Sequence, residues 1–207
     1  MNMIRVTILL FFSIFFTTVS AQEKDTILFF GDSITAGYGI DPNQAFPALI
    51  QEKIDSLGLP YNVVNAGLSG ETSAGGLRRV DWVMQQEVDI FVLELGGNDG
   101  LRGIDPENTK KNLAGIIEKV RAADPDVKIL LTGMEAPPNL GQAYTSQFRQ
   151  VFRDVSRQKN VKFLPFILEG VAGNPELNLP DGIHPTAEGH QILAENVWGS
   201  LRPMLDE

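Results

Sequence analysis

Ile27-Leu28-Phe29-Phe30-Gly31-Asp32-Ser33 is an apolar run that breaks sharply into a turn of small residues. Four consecutive large apolar side chains suit a strand buried on both faces, and the abrupt break is where such a strand hands over to a helix. Four further runs have the same character: Tyr61 to Asn65, Asp89 to Leu95, Val127 to Gly133 and Val161 to Phe166. Helical patterns lie between them. Gln44 to Leu57 stops at Gly58, and Pro106 to Ala123 starts on an Asp105 cap with proline at its first position. Gln142 to Lys159 spaces Tyr144, Phe148, Val151 and Val155 at helical intervals, and a last helix follows Pro185 to about Leu201. Alternation of strand and helix predicts an α/β fold, a three-layer α/β/α sandwich around a five-stranded parallel sheet with right-handed crossovers.

The chain has 207 residues, is 43% hydrophobic and 21% charged, and suits one soluble domain. Residues 1–21 stand apart. Arg5 supplies a positive start, Val6 to Phe16 an apolar stretch, and Val19-Ser20-Ala21 a small-residue cleavage site, so an export signal cut after Ala21 is expected. A membrane anchor would need about 20 apolar residues, and Thr17, Thr18 and Ser20 interrupt this stretch too early. The expected mature protein is residues 22–207, periplasmic or extracellular, with no stable membrane insertion. The formal net charge is −9, and loss of Arg5 makes the mature chain one unit more negative. No basic cluster stands out, which argues against nucleic acid as a partner. The absence of cysteine excludes disulfides, thiolate metal sites and a cysteine nucleophile together.

Candidate chemistry collects in the loops that follow the strands, at the sheet edge where ligands of open parallel sheets bind. Ser33 is a candidate nucleophile, although Gly31-Asp32-Ser33 also fits a plain turn in which Asp32 or Ser33 caps the next segment. His184 is the candidate base and Asp181, three residues earlier, its orienting partner; a capped turn at Asp181-Gly182 is the bland alternative. Only one other histidine exists, His190, and its place inside the last helix suggests a structural role. A metal site on Asp181, His184 and His190 matches no common ligand spacing. Asn65 to Gly70 is a glycine-rich turn open to close approach, and Asn98 offers an amide that cannot titrate. Plain turn chemistry, or an Asx turn at Asn98-Asp99, accounts for them equally well. Glu94 is a strand carboxylate with no assignable role beyond a structural hydrogen bond. The serine is not in a Gly-x-Ser-x-Gly elbow, because position 35 is Thr35.

Taken together, Gly31-Asp32-Ser33, Gly70, Gly97-Asn98-Asp99 and Asp181 with His184 resemble the four blocks of the SGNH/GDSL hydrolases, in order and spacing, over nearly all of residues 25–200. The longer runs Gly31 to Tyr38, Asn65 to Ser73, Leu93 to Gly103 and Asp181 to Pro185 are similar to a secreted bacterial branch combining thioesterase, arylesterase and lysophospholipase activity. The resemblance implies a triad of Ser33, Asp181 and His184, and an oxyanion hole formed by the N–H groups of Ser33 and Gly70 and the Asn98 amide. It also implies a flavodoxin-like strand order, 2-1-3-4-5. It weakens at Met134 to Tyr144, where Pro137-Pro138-Asn139-Leu140 is expected to wall the acyl site.

The expectation is therefore a monomeric, cofactor-free and metal-free serine esterase acting on acyl esters or thioesters of small or lipid substrates. Leu101, Ile104, Pro138, Leu140 and Ile183 are the expected groove residues. A carbohydrate acetylesterase would use the same scaffold with a shallow polar cleft. A non-catalytic binding module would need no triad.

Overall fold

A computed structural model describes residues 24–205, so the expected export signal lies outside the described residues. Five parallel strands form one sheet in the order β2-β1-β3-β4-β5, where β1 is Asp25–Gly31, β2 Tyr61–Gly67, β3 Ile90–Glu94, β4 Lys128–Thr132 and β5 Lys162–Leu164. This is the sheet and order expected. The interior strand β1 uses both its faces. Phe29 meets Phe46 edge-on at 5.4 Å on one side, while Phe30 lies 5.4 Å from Phe91 on the other. Both are fully buried, as the continuous apolar run requires of a strand covered on both faces.

Two layers of helix supply that cover. On one face lie α3 (Ser73–Val83), α5 (Pro106–Ala123) and α6 (Gln142–Lys159); on the other lie α2 (Phe46–Ser56) and α7 (Ala187–Leu201). Two short helices complete the set, α1 (Ser33–Ala36) and α4 (Gly97–Leu101). The Asp105 cap and the first-position Pro106 of α5 are present as expected. The start of α2 is corrected: Pro42–Gln44 forms a separate 3-10 turn, and the helix proper begins at Phe46. Strand β5 is shorter than expected because Pro165, which cannot donate to a ladder, ends it. Among the described residues no helix is long and apolar enough to cross a membrane.

Strand order reverses at β1: the chain leaves β1 for β2 on one side and returns to β3 on the other. The two loops leaving β1 and β3 therefore diverge and open a crevice at the carboxyl edge. Ser33 heads one of those loops and Asn98 the other.

Candidate active site

The turn after β1 is built for close approach. A Cβ on Gly31 would lie 2.1 Å from Thr35 Oγ1 and 2.6 Å from Glu94 Oε2, so only glycine fits there. Asp32 caps α1, its Oδ1 accepting from the Ile34 N–H at 3.0 Å, which leaves Ser33 at the first helical position and 8% exposed. The capping alternative thus applies to Asp32, and the Ser33 hydroxyl remains available.

The third part of the site arrives from far along the chain. After β5 the chain runs through a long loop that is closed by an antiparallel bridge between Asn178 and Pro185 and by Leu179 N–H donating to the His184 carbonyl at 2.7 Å. Gly182, at φ +68°, makes the turn between them. Asp181 Oδ1 accepts from the N–H groups of His184 (3.0 Å) and Ile183 (2.9 Å), while its Oδ2 meets His184 Nδ1 at 2.7 Å. The His184 Nε2 is 2.9 Å from Ser33 Oγ. Hydrogen bonds from the His184 N–H, the imidazole and the Ile183 N–H hold the Asp181 carboxyl down to about 2, so it stays ionised across the neutral range. Tyr38 packs on the His184 ring with centroids 4.5 Å apart. Sequence reasoning missed Tyr38, and its residue type carries no signal at that spacing.

Beneath the serine sits a layer of buried acids. Asp32 Oδ2 accepts from Asn98 Nδ2 at 3.1 Å. Glu94 Oε2 accepts from the Thr35 hydroxyl at 2.7 Å and from the Asp32 N–H at 3.3 Å, while Oε1 is buried with no hydrogen-bond partner among the described residues. Burial pushes the Asp32 carboxyl up to about 6 against the pull of the Ile34 and Asn98 hydrogen bonds. Burial, and then the Asp32 charge, push Glu94 well above the usual carboxylate range. The structural hydrogen bond expected of Glu94 is present, and it ties β3 to the serine turn. Asp99, which the sequence placed in the Gly97-Asn98-Asp99 block without a role of its own, is fully buried and receives Ser73 N–H at 2.8 Å and Thr109 Oγ1 at 3.1 Å, locking α4 to α3 and α5.

Asn98 stands in the first turn of α4, one helical turn before Arg102, rather than in an Asx turn. Gly70 lies in the loop after β2, at φ +81°, and its carbonyl accepts from Arg102 at 3.1 Å. A groove of about 500 Å³ opens beside Ser33 and Asn98, walled by Leu101, Met134, Pro138, Phe166, Leu168 and Ile183. Of the residues expected there, Leu101, Pro138 and Ile183 line the groove beside the serine, whereas Ile104 and Leu140 do not. The Ile104 carbonyl instead accepts from the Tyr144 hydroxyl at 2.7 Å, and Leu140 closes a 3-10 turn at the surface. His190 points into the fold: its Nδ1 accepts from the Phe46 N–H at 3.1 Å and its ring stacks on Phe46.

A hydroxyl, an imidazole and a carboxylate in hydrogen-bonded sequence, at the switch point of a parallel α/β sheet and beside an apolar groove, define an ester-bond hydrolase of the α/β/α class. Comparison with known proteins makes the assignment narrower. The chain belongs to the GDSL-like lipase/acylhydrolase family, whose model matches residues 29–192. It is 44% identical to the esterase TesA of Pseudomonas aeruginosa, over 87% of this chain and 89% of that protein. The crystal structure of TesA superposes with a TM-score of 0.83, covering 87% of this chain and 99% of that one. It is 37% identical to thioesterase 1/protease 1/lysophospholipase L1 of Escherichia coli, over 91% of this chain and 89% of that protein. A crystal structure of the psychrotrophic esterase EstA from Pseudoalteromonas sp., inhibited by monoethylphosphonate, superposes with a TM-score of 0.83 at 32% identity, covering 89% of this chain and all of that one.

Proposed function

We propose that Ser33 is the nucleophile of an exported esterase and thioesterase, with His184 as its base and Asp181 as the group that orients the base. The observation that carries this reading is the unbroken line from Ser33 Oγ to His184 Nε2 (2.9 Å) and from His184 Nδ1 to Asp181 Oδ2 (2.7 Å). The Ser33 oxygen attacks the substrate carbonyl carbon while its proton passes to His184 Nε2. Ionised Asp181 holds the Nδ1 proton and stabilises the imidazolium. The developing oxyanion lies toward the N–H groups of Ser33 and Gly70 and the Asn98 amide. Among the described residues neither of those N–H groups is spent on the fold, which supports the assignment. His184 then gives its proton to the leaving oxygen or sulfur, and water repeats the cycle on the acyl-serine to release the acid.

The apolar walls of the groove support an acyl chain rather than a sugar. Residues 1–21 would direct export and be removed after Ala21, a pattern read from sequence and open to test by N-terminal sequencing of the exported protein. The deciding experiment pairs a fluorophosphonate probe with Ser33→Ala. The wild-type mature protein should be labelled and the variant should not, with kcat on a p-nitrophenyl ester falling by about 10⁴ to 10⁶. Retained turnover in a correctly folded variant would overturn the triad. A rate maximum at acetate, with acetylated sugars as better substrates, would assign the protein to carbohydrate deacetylation.

A further inference from the structure

His184 rides on a hairpin that holds it from within: Asp181 meets its ring from three residues away, and Leu179 pairs with its carbonyl. Facing that hairpin, the turn that carries Ser33 continues into Gly37-Tyr38-Gly39. The two pieces are clasped together there. Gly37 and Gly39 are both left-handed, at φ +72° and +82°, and the Tyr38 N–H donates to the Ser33 carbonyl at 3.0 Å. A Cβ on Gly39 would lie 2.5 Å from Leu179 Cδ1, so the segment closes directly onto the hairpin. Between the two glycines Tyr38 lays its ring on the His184 imidazole, with centroids 4.5 Å apart and planes tilted by 41°. Core packing does not explain this tyrosine, because it is 52% exposed and its hydroxyl has no hydrogen-bond partner among the described residues. What the fold uses is its ring face.

The imidazole is tethered at two points, Nδ1 to Asp181 and Nε2 to Ser33. During acyl transfer the second tether is given up. Ser33 Oγ passes its proton to Nε2 as it bonds to the carbonyl carbon; the same proton then goes to the leaving oxygen or sulfur as its bond to that carbon breaks. Through this second transfer Asp181 alone holds the ring, and a ring held by one nitrogen can tilt about that hydrogen bond. We propose that Tyr38 is a positioning residue for the second transfer, its ring face blocking the tilt and attracting the imidazolium while Nε2 turns from Ser33 to the leaving atom. Aromatic faces attract cations at this range, and the imidazolium exists only in this part of the cycle. The proposal rests on Ser33 being the nucleophile and His184 its base.

Two leaving groups test it, because p-nitrophenolate departs without a proton and an alkoxide does not. In the mature chain kcat/KM, which reports formation of the acyl-serine, is measured for p-nitrophenyl octanoate and for ethyl octanoate. Tyr38→Leu should lower the value for the ethyl ester about tenfold more than that for the p-nitrophenyl ester, while Tyr38→Phe, which keeps the ring face, should keep the wild-type ratio. Both values come from one preparation, so their ratio is independent of the fraction that folds, and a loss of stability alone leaves it unchanged. An equal fall for both esters, no fall in either, or a Tyr38→Phe ratio that shifts as far as that of Tyr38→Leu overturns the proposal. Failure of the nucleophile assignment would show separately, as Ser33→Ala turning over both esters.

Discussion

Asp32 holds two parts of the site from one buried position. Its Oδ1 fixes the start of α1 and hence the direction of Ser33; its Oδ2 takes one N–H of the Asn98 amide, which leaves the other for the proposed oxyanion. An oxyanion donor acts mainly on the transition state, so Asn98→Ala should lower kcat by about 10² to 10³ with little change in KM. Asp32→Asn, which can present its amide nitrogen where an acceptor is needed, should cost about tenfold in kcat by the same route. A rise in KM alone for Asn98→Ala would make that residue a substrate-binding group. Ser33, Asn98, Asp181 and His184 were legible as candidates because each lies in a connection after a strand and because the chain has only two histidines. The ties of Asp32 to Asn98 and of Asp99 to Ser73 were not, because those partners lie 66 and 26 residues away, and no local pattern encodes that.

Helix α4 shows how an element of five residues can be set by its neighbours. Its cap, Gly96, sits at φ +126°, and a Cβ there would lie 2.8 Å from the Phe152 ring. Gly96→Ala should therefore displace α4 and Asn98 with it, destabilising the fold by about 2 kcal/mol and lowering kcat together. Thermal denaturation and steady-state kinetics on the same preparation check both. Groove walls come from three elements: α4 gives Leu101, the segment after β4 gives Met134 and Pro138, and the loop after β5 gives Phe166, Leu168 and Ile183. With each buried CH₂ contributing up to about 0.8 kcal/mol, kcat/KM should climb severalfold per two-carbon step along a p-nitrophenyl ester series. Ile183→Asp should flatten that climb. No helix is legible in the sequence between β2 and β3, yet α3 is there. Gly75, Gly76 and a mixture of charges blur its periodicity, while Thr72 caps it and Gly76 lets it settle against Leu95, Phe30 and Ile116. Its existence depends on tertiary packing that propensity alone does not report.

For the whole molecule, three buried titrating groups set opposing slopes of stability against pH. Burial holds His190 neutral down to about 4, whereas the unfolded chain takes up that proton near 6.5. Its contribution is thus present above pH 6.5 and lost as pH falls toward 4. Asp32 runs the other way: its folded value of about 6 exceeds the 3.8 of the unfolded chain, so its contribution is present below 3.8 and lost as pH rises through 6. Each is on the order of 3 kcal/mol, and over the shared window they largely cancel. His190→Gln, which keeps an acceptor for the Phe46 N–H, should expose a Tm that falls as pH rises from 4 to 6. Glu94 shifts in the same direction as Asp32, so Glu94→Gln should gain Tm over the wild type progressively as pH rises above the ordinary carboxylate range. Calorimetric scans against pH decide both, and a constant difference at every pH would refute the Glu94 case. The contact between Ser33 and His184 spans 151 residues. All five strands precede the hairpin that carries the histidine, so a growing polypeptide can pair its entire sheet while still lacking the residue that would activate its serine. With the proposed triad, a chain caught partway through synthesis would be inert toward the cell's own acyl esters, and in refolding the return of turnover should trail the return of the sheet's circular dichroism.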